Sequence, residues 1–329
     1  MTPYDVPEQL QNNQQKAGWD CCWIFYEEGV VLIKAYYNKI LPYLFLLPAV
    51  LFIALVFVLP FIAGVFISLT DWNGIARSFH FVGVANYISI FKGSSAIDSL
   101  LNNFKYFIFI VILQNIFALL IALLLNSNLK GKNFLRATVF LPSVIATVGI
   151  GFTWSLIFNP SIGIIPLLFN FLHIPGIQDF TWLGDFHWAL YLIAIVSVWQ
   201  WTGWNMVIYL AGMQTIPQDL YEACNVDGAR GMQKFFHITI PMLAPAFTIN
   251  LVMSTIGALK FFDLPYVMTQ GGPGHSSETM AITIYYAAFH VNKVGYGTAL
   301  SMVLFAFITI VAIVQTTYLR KVEENVSNG

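Results

Sequence analysis

Charge is scarce in this chain. Of its 329 residues only 9% are Asp, Glu, Lys or Arg, and the near balance leaves a net charge of −1. No basic surface is therefore available for nucleic acid. Cysteine is as rare, with three residues, Cys21, Cys22 and Cys224. Adjacent cysteines bridge poorly and the third is distant in sequence, so no disulfide frame is expected. His80, His173, His187, His275 and His290 fall between the apolar blocks at spacings that suit no metal, and no metal site is expected. The chain has no GxxxxGK[ST] phosphate loop: Gly131-Lys132 is followed by Asn133 and has no upstream glycine in register. It also lacks HExxH and GxSxG. The glycine-rich run from Thr269 to Gly274 has no lysine after it and reads as a turn. No catalytic residue is assigned, and the chain is not expected to hydrolyse ATP by itself. Its first forty residues are too polar, and its first apolar block too long, for a cleavable signal.

Apolar residues are abundant, at 58%, and aromatic residues reach 16%. They fall in blocks long enough to cross a bilayer, which predicts an all-α, polytopic membrane protein. Six spans are expected, at about 41–69, 106–125, 137–158, 188–213, 238–259 and 297–318, within a membrane domain of residues 41–320. A tail of residues 1–40 precedes it. Residues 1–20 are rich in Gln and Asn and read as disordered, while 21–37 read either as a surface-lying segment or as a plain lead-in. Residues 321–329 form a second tail. With both termini in the cytosol, ten of the fifteen Lys and Arg residues lie inside, and the 159–187 loop, which has none, faces out. Pro60 and Pro142 fall within the first and third spans, where neighbouring helices can satisfy the freed backbone.

Between the fourth and fifth spans runs a polar stretch, TIPQDLYEACNVDGARGMQKFFHITIP, from Thr215 to Pro241, with five charges. Thr215-x-x-Gln218 reads as a capping box, and Pro217 suits a first helical turn. Leu220, Ala223 and Cys224 share one side of the expected helix, and Glu222 lies far round from Leu220. Gly228 suits the left-handed turn that ends such a helix. Residues 215–237 are thus expected to be a folded knob on the cytoplasmic side.

The spans themselves are nearly free of ionisable groups, which argues against an ion-coupled carrier. Gln114 and Asn115 lie in the second span and Asn205 in the fourth, beside Trp199, Gln200, Trp201 and Trp204. Asn250, Ser254, Gly257 and Phe261 recur on one face of the fifth. Aromatic faces with neutral hydrogen-bonding groups suit a sugar. The same tryptophans suit an interfacial belt, and the same small residues suit helix packing.

The polar stretch resembles the cytoplasmic loop of ABC-importer permeases, Glu-Ala-Ala, three residues, Gly, nine residues, Ile-x-Leu-Pro. The matching residues are Glu222, Ala223, Gly228, Ile238 and Pro241, with Cys224 in place of the second Ala and Ile240 in place of the Leu. Pro42 to Pro48, Ser68 to Gly74, Phe81-Val-Gly83 with Asn86-Tyr87, Gly131-Lys132, Trp199 to Gly203, Phe262-Asp263 and Gly271-Gly-Pro273 resemble segments of the sugar-transporting subfamily. Pro166 departs from it, standing where an Asn is more common.

This resemblance implies one of two permease subunits beside a homologous partner in the cell membrane. It also implies two copies of a P-loop ATPase, which would bring the ATP and Mg, while this chain holds no cofactor. An extracellular solute-binding protein would deliver a sugar. ATPase coupling would fall to Leu220, Glu222, Ala223, Cys224, Asp227, Gly228, Ile238 and Pro241. By resemblance to maltose-type permeases the substrate path would include Trp199, Trp201, Trp204, Ser254, Gly257, Ala258 and Phe261, with Asn205 among them. The alternatives are an importer for another solute such as glycerol phosphate, for which Lys260 would be the basic residue, and an ion-coupled secondary carrier.

Overall fold

The computed structural model describes residues 41–127, 129–173 and 181–327, so the expected tail of residues 1–40 lies outside the described residues, whereas 321–327 of the second expected tail continue the last helix. Two compact units divide the chain at Gly64 and Val65. Of the first, what is described belongs to one helix, α1, from Leu41 to Ser68. Pro60 cannot donate to the carbonyl four residues back. The chain widens just ahead of it into a π-helical segment, Ala54–Val58, in which the Leu59 N–H reaches the Ala54 carbonyl.

The second unit is helical throughout. In order come α2 (Ala85–Lys92), α3 (Ser94–Asn126), α4 (Lys132–Val144), α5 (Thr147–Ile157), α6 (Ile164–Phe171), α7 (Ala189–Gln214), α8 (Gln218–Val226), α9 (Gly231–Met242), α10 (Ala244–Leu259), α11 (Asp263–Thr269), α12 (Met280–Tyr285) and α13 (Val294–Ser327). Pro166 falls in the first turn of α6, where its missing N–H is harmless. Among the described residues the one strand-like pairing is an isolated bridge between Thr70 and Phe81.

Among the described residues three helices are long and apolar enough to cross a membrane, Leu41–Ser68, Ser95–Asn126 and Val294–Lys321. Two of the expected spans are not straight. α4 and α5 meet at 96° and α9 and α10 at 65°, each pair apolar enough to count as one broken span. The fourth expected span, α7, is a single 26-residue helix of roughly 39 Å, long enough to cross. Its Trp, Gln and Asn residues lower its hydropathy. They are nonetheless accommodated, because 16 of its 26 residues are buried against the rest of the bundle.

α7 is the axis of this unit. It packs along α3, and against α4 and α10. Gly203 permits the α4 contact: a Cβ there would lie 2.2 Å from the Val139 carbonyl oxygen and 2.8 Å from Phe140 Cα. The bend beyond α4 is held from the same face of α7. Ile145 and Ala146 are extended, which opens the helical ladder. The wholly buried Gln200 donates its amide to Thr147 Oγ1 at 3.1 Å and to the Ile145 carbonyl at 3.4 Å. Irregular backbone at membrane depth survives only where protein satisfies it in this way.

Candidate functional site

Where α3, α5, α7, α10 and the start of α11 converge lies a cavity of about 360 Å³. Seven of the eight expected path residues line it. Trp201, Trp204 and Asn205 come from α7, and Ser254, Gly257, Ala258 and Phe261 from α10 and its end. Trp204 is stacked on Phe140 with centroids 6.3 Å apart, and Phe261 stands edge-on to Tyr106 at 5.1 Å. A Cβ on Gly257 would meet nothing within 4 Å, so this glycine leaves the cavity open rather than serving a helix contact.

Trp199 departs from the expectation. It is outside the cavity lining and stands edge-on to Trp154 at 5.5 Å. The reason is geometric. Trp201 and Trp204 lie three residues apart and share a face, whereas Trp199 is about 200° round from Trp201.

Beneath the cavity runs a buried polar network. Tyr209 donates to Asn115 Oδ1 at 2.8 Å. The Asn115 and Asn205 amides donate to Ser254 Oγ at 3.2 and 3.0 Å. Ser254 donates to the Asn250 carbonyl at 2.6 Å, and the Asn250 amide donates to the Asn205 carbonyl at 3.1 Å. A hydroxyl offers one donor and two acceptor sites, so Ser254 is saturated by its own neighbours. These bonds tie α3, α7 and α10 together in a region where an unmade bond is costly.

At the opposite ends of α7 and α10 sits the expected knob. The capping box is not made: the Thr215 hydroxyl turns back to the Gly212 carbonyl at 2.8 Å, closing α7, while Pro217 takes the N-cap position of α8. Gln218 instead donates to Glu222 at 2.9 Å. Gly228 has φ +71°, and with nothing near its Cβ direction, conformation alone demands glycine. The inward side of α8 is Tyr221 and Cys224, which pack against a core that includes Ile238. Tyr221 is hydrogen-bonded to Thr239 at 2.9 Å. Leu220, Glu222, Ala223 and Asp227 face outward, so Leu220 and Ala223 do not share the buried side with Cys224. Pro241 is half-buried within α9, just ahead of the bend into α10. Large apolar side chains stay exposed beside them, Val226 at 89% and Met232 at 69%.

The outer-loop motif segments fold on one another. Asn86 donates to the Ser68 and Thr70 carbonyls at 2.9 and 2.8 Å, and Ser68 is bonded to Tyr87 at 2.8 Å. The His80 backbone N–H donates to Asp71, which holds that exposed carboxyl below the usual range. Among the described residues no group of three or more His, Cys, Asp and Glu could hold a metal.

The sequence of residues 114–324 matches the family model described as "Binding-protein-dependent transport system inner membrane component". This chain belongs to that family. Its permease relatives include a probable ABC transporter permease of Bacillus subtilis, 35% identical over 291 residues, covering 87% of this chain and 98% of the relative. A trehalose/maltose transport system permease of Thermococcus litoralis is 35% identical over 269 residues, covering 82% and 90%. A probable permease for starch degradation products of Thermoanaerobacterium thermosulfurigenes is 31% identical, covering 88% and 97%. Among solved structures, a bacterial ABC transporter that imports alginate superimposes with a TM-score of 0.77 at 20% identity, covering 88% and 98%. The expected all-α, multi-pass membrane permease is therefore the fold of this chain.

Within this inner membrane component, residue patterns missed part of the cavity. Thr147, Ser197 and Met253 line it without having been singled out. Ser197 sits one turn before Trp201 on α7, and helical spacing from the tryptophans would have found it. Thr147 enters only because the chain turns between α4 and α5. Lys260 and Asp263 complete the lining as its two charged side chains.

Proposed function

We propose that this chain is one of two permease subunits of an ABC importer for a sugar, forming with a homologous partner the path through the membrane. The observation that carries the reading is that the two helices walling an aromatic cavity, α7 and α10, are joined by a folded and exposed knob. Substrate contact and force transmission thus share two rigid elements. An extracellular binding protein delivers the sugar, in keeping with a solved relative of the same fold held in complex with an alginate-bound periplasmic protein. Two P-loop ATPase subunits bind ATP with Mg and hydrolyse the ATP, and this chain contributes no cofactor. The ATPase grips α8, with Leu220, Glu222, Ala223 and Asp227 at its surface, and both termini lie in the cytosol with it. ATP and loaded binding protein must favour the outward-facing state over the resting one, since a ligand shifts an equilibrium only by its differential affinity.

The test is a mild-detergent pull-down of the tagged chain from native membranes. A second permease and a P-loop ATPase should be recovered with it. Recovery of the chain alone, still transporting in ATP-free vesicles, would leave the secondary carrier.

A further inference from the structure

Several of the hydrogen-bonding groups that line the cavity are already engaged within the fold. Asn205 and Ser254 are committed to the inter-helix network, and Thr147 Oγ1 accepts from Gln200. A sugar cannot recruit Ser254 without breaking bonds that hold the helices together, whereas Asn205 Oδ1 and the Thr147 hydroxyl proton keep spare capacity. The indole N–H groups of Trp201 and Trp204 make no hydrogen bond within the described chain, and neither does the ammonium of Lys260 or the carboxylate of Asp263. Lys260 and Asp263 are exposed at the cavity's edge, and the ion pairs of the described residues do not include them. Each charge stands where a helix end favours it, Lys260 just past the C-terminus of α10 and Asp263 at the start of α11.

Resting on the sugar-permease reading above, we propose that Lys260 and Asp263 are the specificity-determining pair of this cavity and that they select an uncharged saccharide. Lys260 donates to hydroxyl oxygens and Asp263 accepts from hydroxyl protons, both as charge-assisted bonds, the strong kind available to a sugar. Trp201 and Trp204 supply the ring faces and two further donors. The opposed charges decide the class. A carboxylate or phosphate drawn to Lys260 meets Asp263 in the same cavity, whereas neighbouring hydroxyls of a neutral ring satisfy both.

The test uses the assembled importer in nanodiscs, binding protein omitted, titrated with maltotriose, arabinotriose and trigalacturonate. A neutral trisaccharide should bind more tightly than trigalacturonate. Lys260→Met and Asp263→Asn should each weaken the neutral sugar on the order of tenfold, the size of one lost charged hydrogen bond. The neutral-to-anionic preference should rise in Lys260→Met and fall in Asp263→Asn. A purely structural role would shift all three sugars together. A wild-type preference for trigalacturonate, neutral binding unmoved by both substitutions, or no saccharide bound would overturn the assignment. Absence of ATP-driven uptake by the wild-type assembly in vesicles would sink the importer reading instead.

Discussion

The cavity between α7 and α10 and the knob that joins the same helices both consist of polar and apolar residues mixed, yet they handle them in opposite ways. Around and beneath the cavity, polar side chains are buried and bonded to one another, Ser254 to full capacity. In the knob, Val226 and Met232 are left bare and Glu222 is bonded only to Gln218 of its own helix. A buried polar group must find its partner within the fold, while exposed apolar side chains beside a fixed turn mark a surface that another protein covers. The polar groups around the cavity are therefore satisfied within the fold, whereas under the proposed function the knob is completed by the ATPase.

The largest expected effect breaks the cavity side. Gly203→Val would place side-chain atoms into the α4 backbone, and destabilisation of roughly 3 kcal/mol or more is expected. It is read as early aggregation on heating in detergent, with binding and assembly lost together. Wild-type behaviour would mean that α4 does not approach α7 as described.

Gly228→Val should act on the knob alone. A β-branched residue at φ +71° costs roughly 1–2 kcal/mol locally, whereas Gly228→Asn, which tolerates that region, should be mild. ATP-driven uptake and ATPase co-purification should fall in the valine variant while sugar binding in nanodiscs persists. Loss of sugar binding as well would show that the two ends are not separable.

The smallest effect on transport sharpens the network. Tyr209→Phe leaves buried Asn115 Oδ1 without its donor, for a cost of about 2 kcal/mol. A measurable fall in detergent stability with unchanged ATPase co-purification is expected. No change in stability would mean that water replaces the hydroxyl.

Much of this was legible in residues alone. Helical spacing placed Asn250, Ser254, Gly257 and Phe261 on one face, and three of them line the cavity while Asn250 lies buried below it. The turn at Gly228 was readable because only glycine adopts that φ without strain. Trp199, carried over from the family resemblance with Trp201 and Trp204, lies outside the cavity lining because it is about 200° round the helix from Trp201. The capping box failed because Thr215 bonds back to α7, a competition that motif spacing does not reveal.

By itself the sequence determined what is local: block lengths that match a bilayer, helical periodicity, and the turn between α8 and α9. Each follows from the size and conformational freedom of neighbouring residues. Only the tertiary structure decided where spans break and which polar atoms are left for a sugar. The bend after Val144 persists because Gln200 bonds the carbonyl of Ile145, 55 residues away. Ser254 looks available until its partners on other helices are known. Hydrogen-bond saturation is a property of pairs distant in the chain, and it is settled when those helices meet.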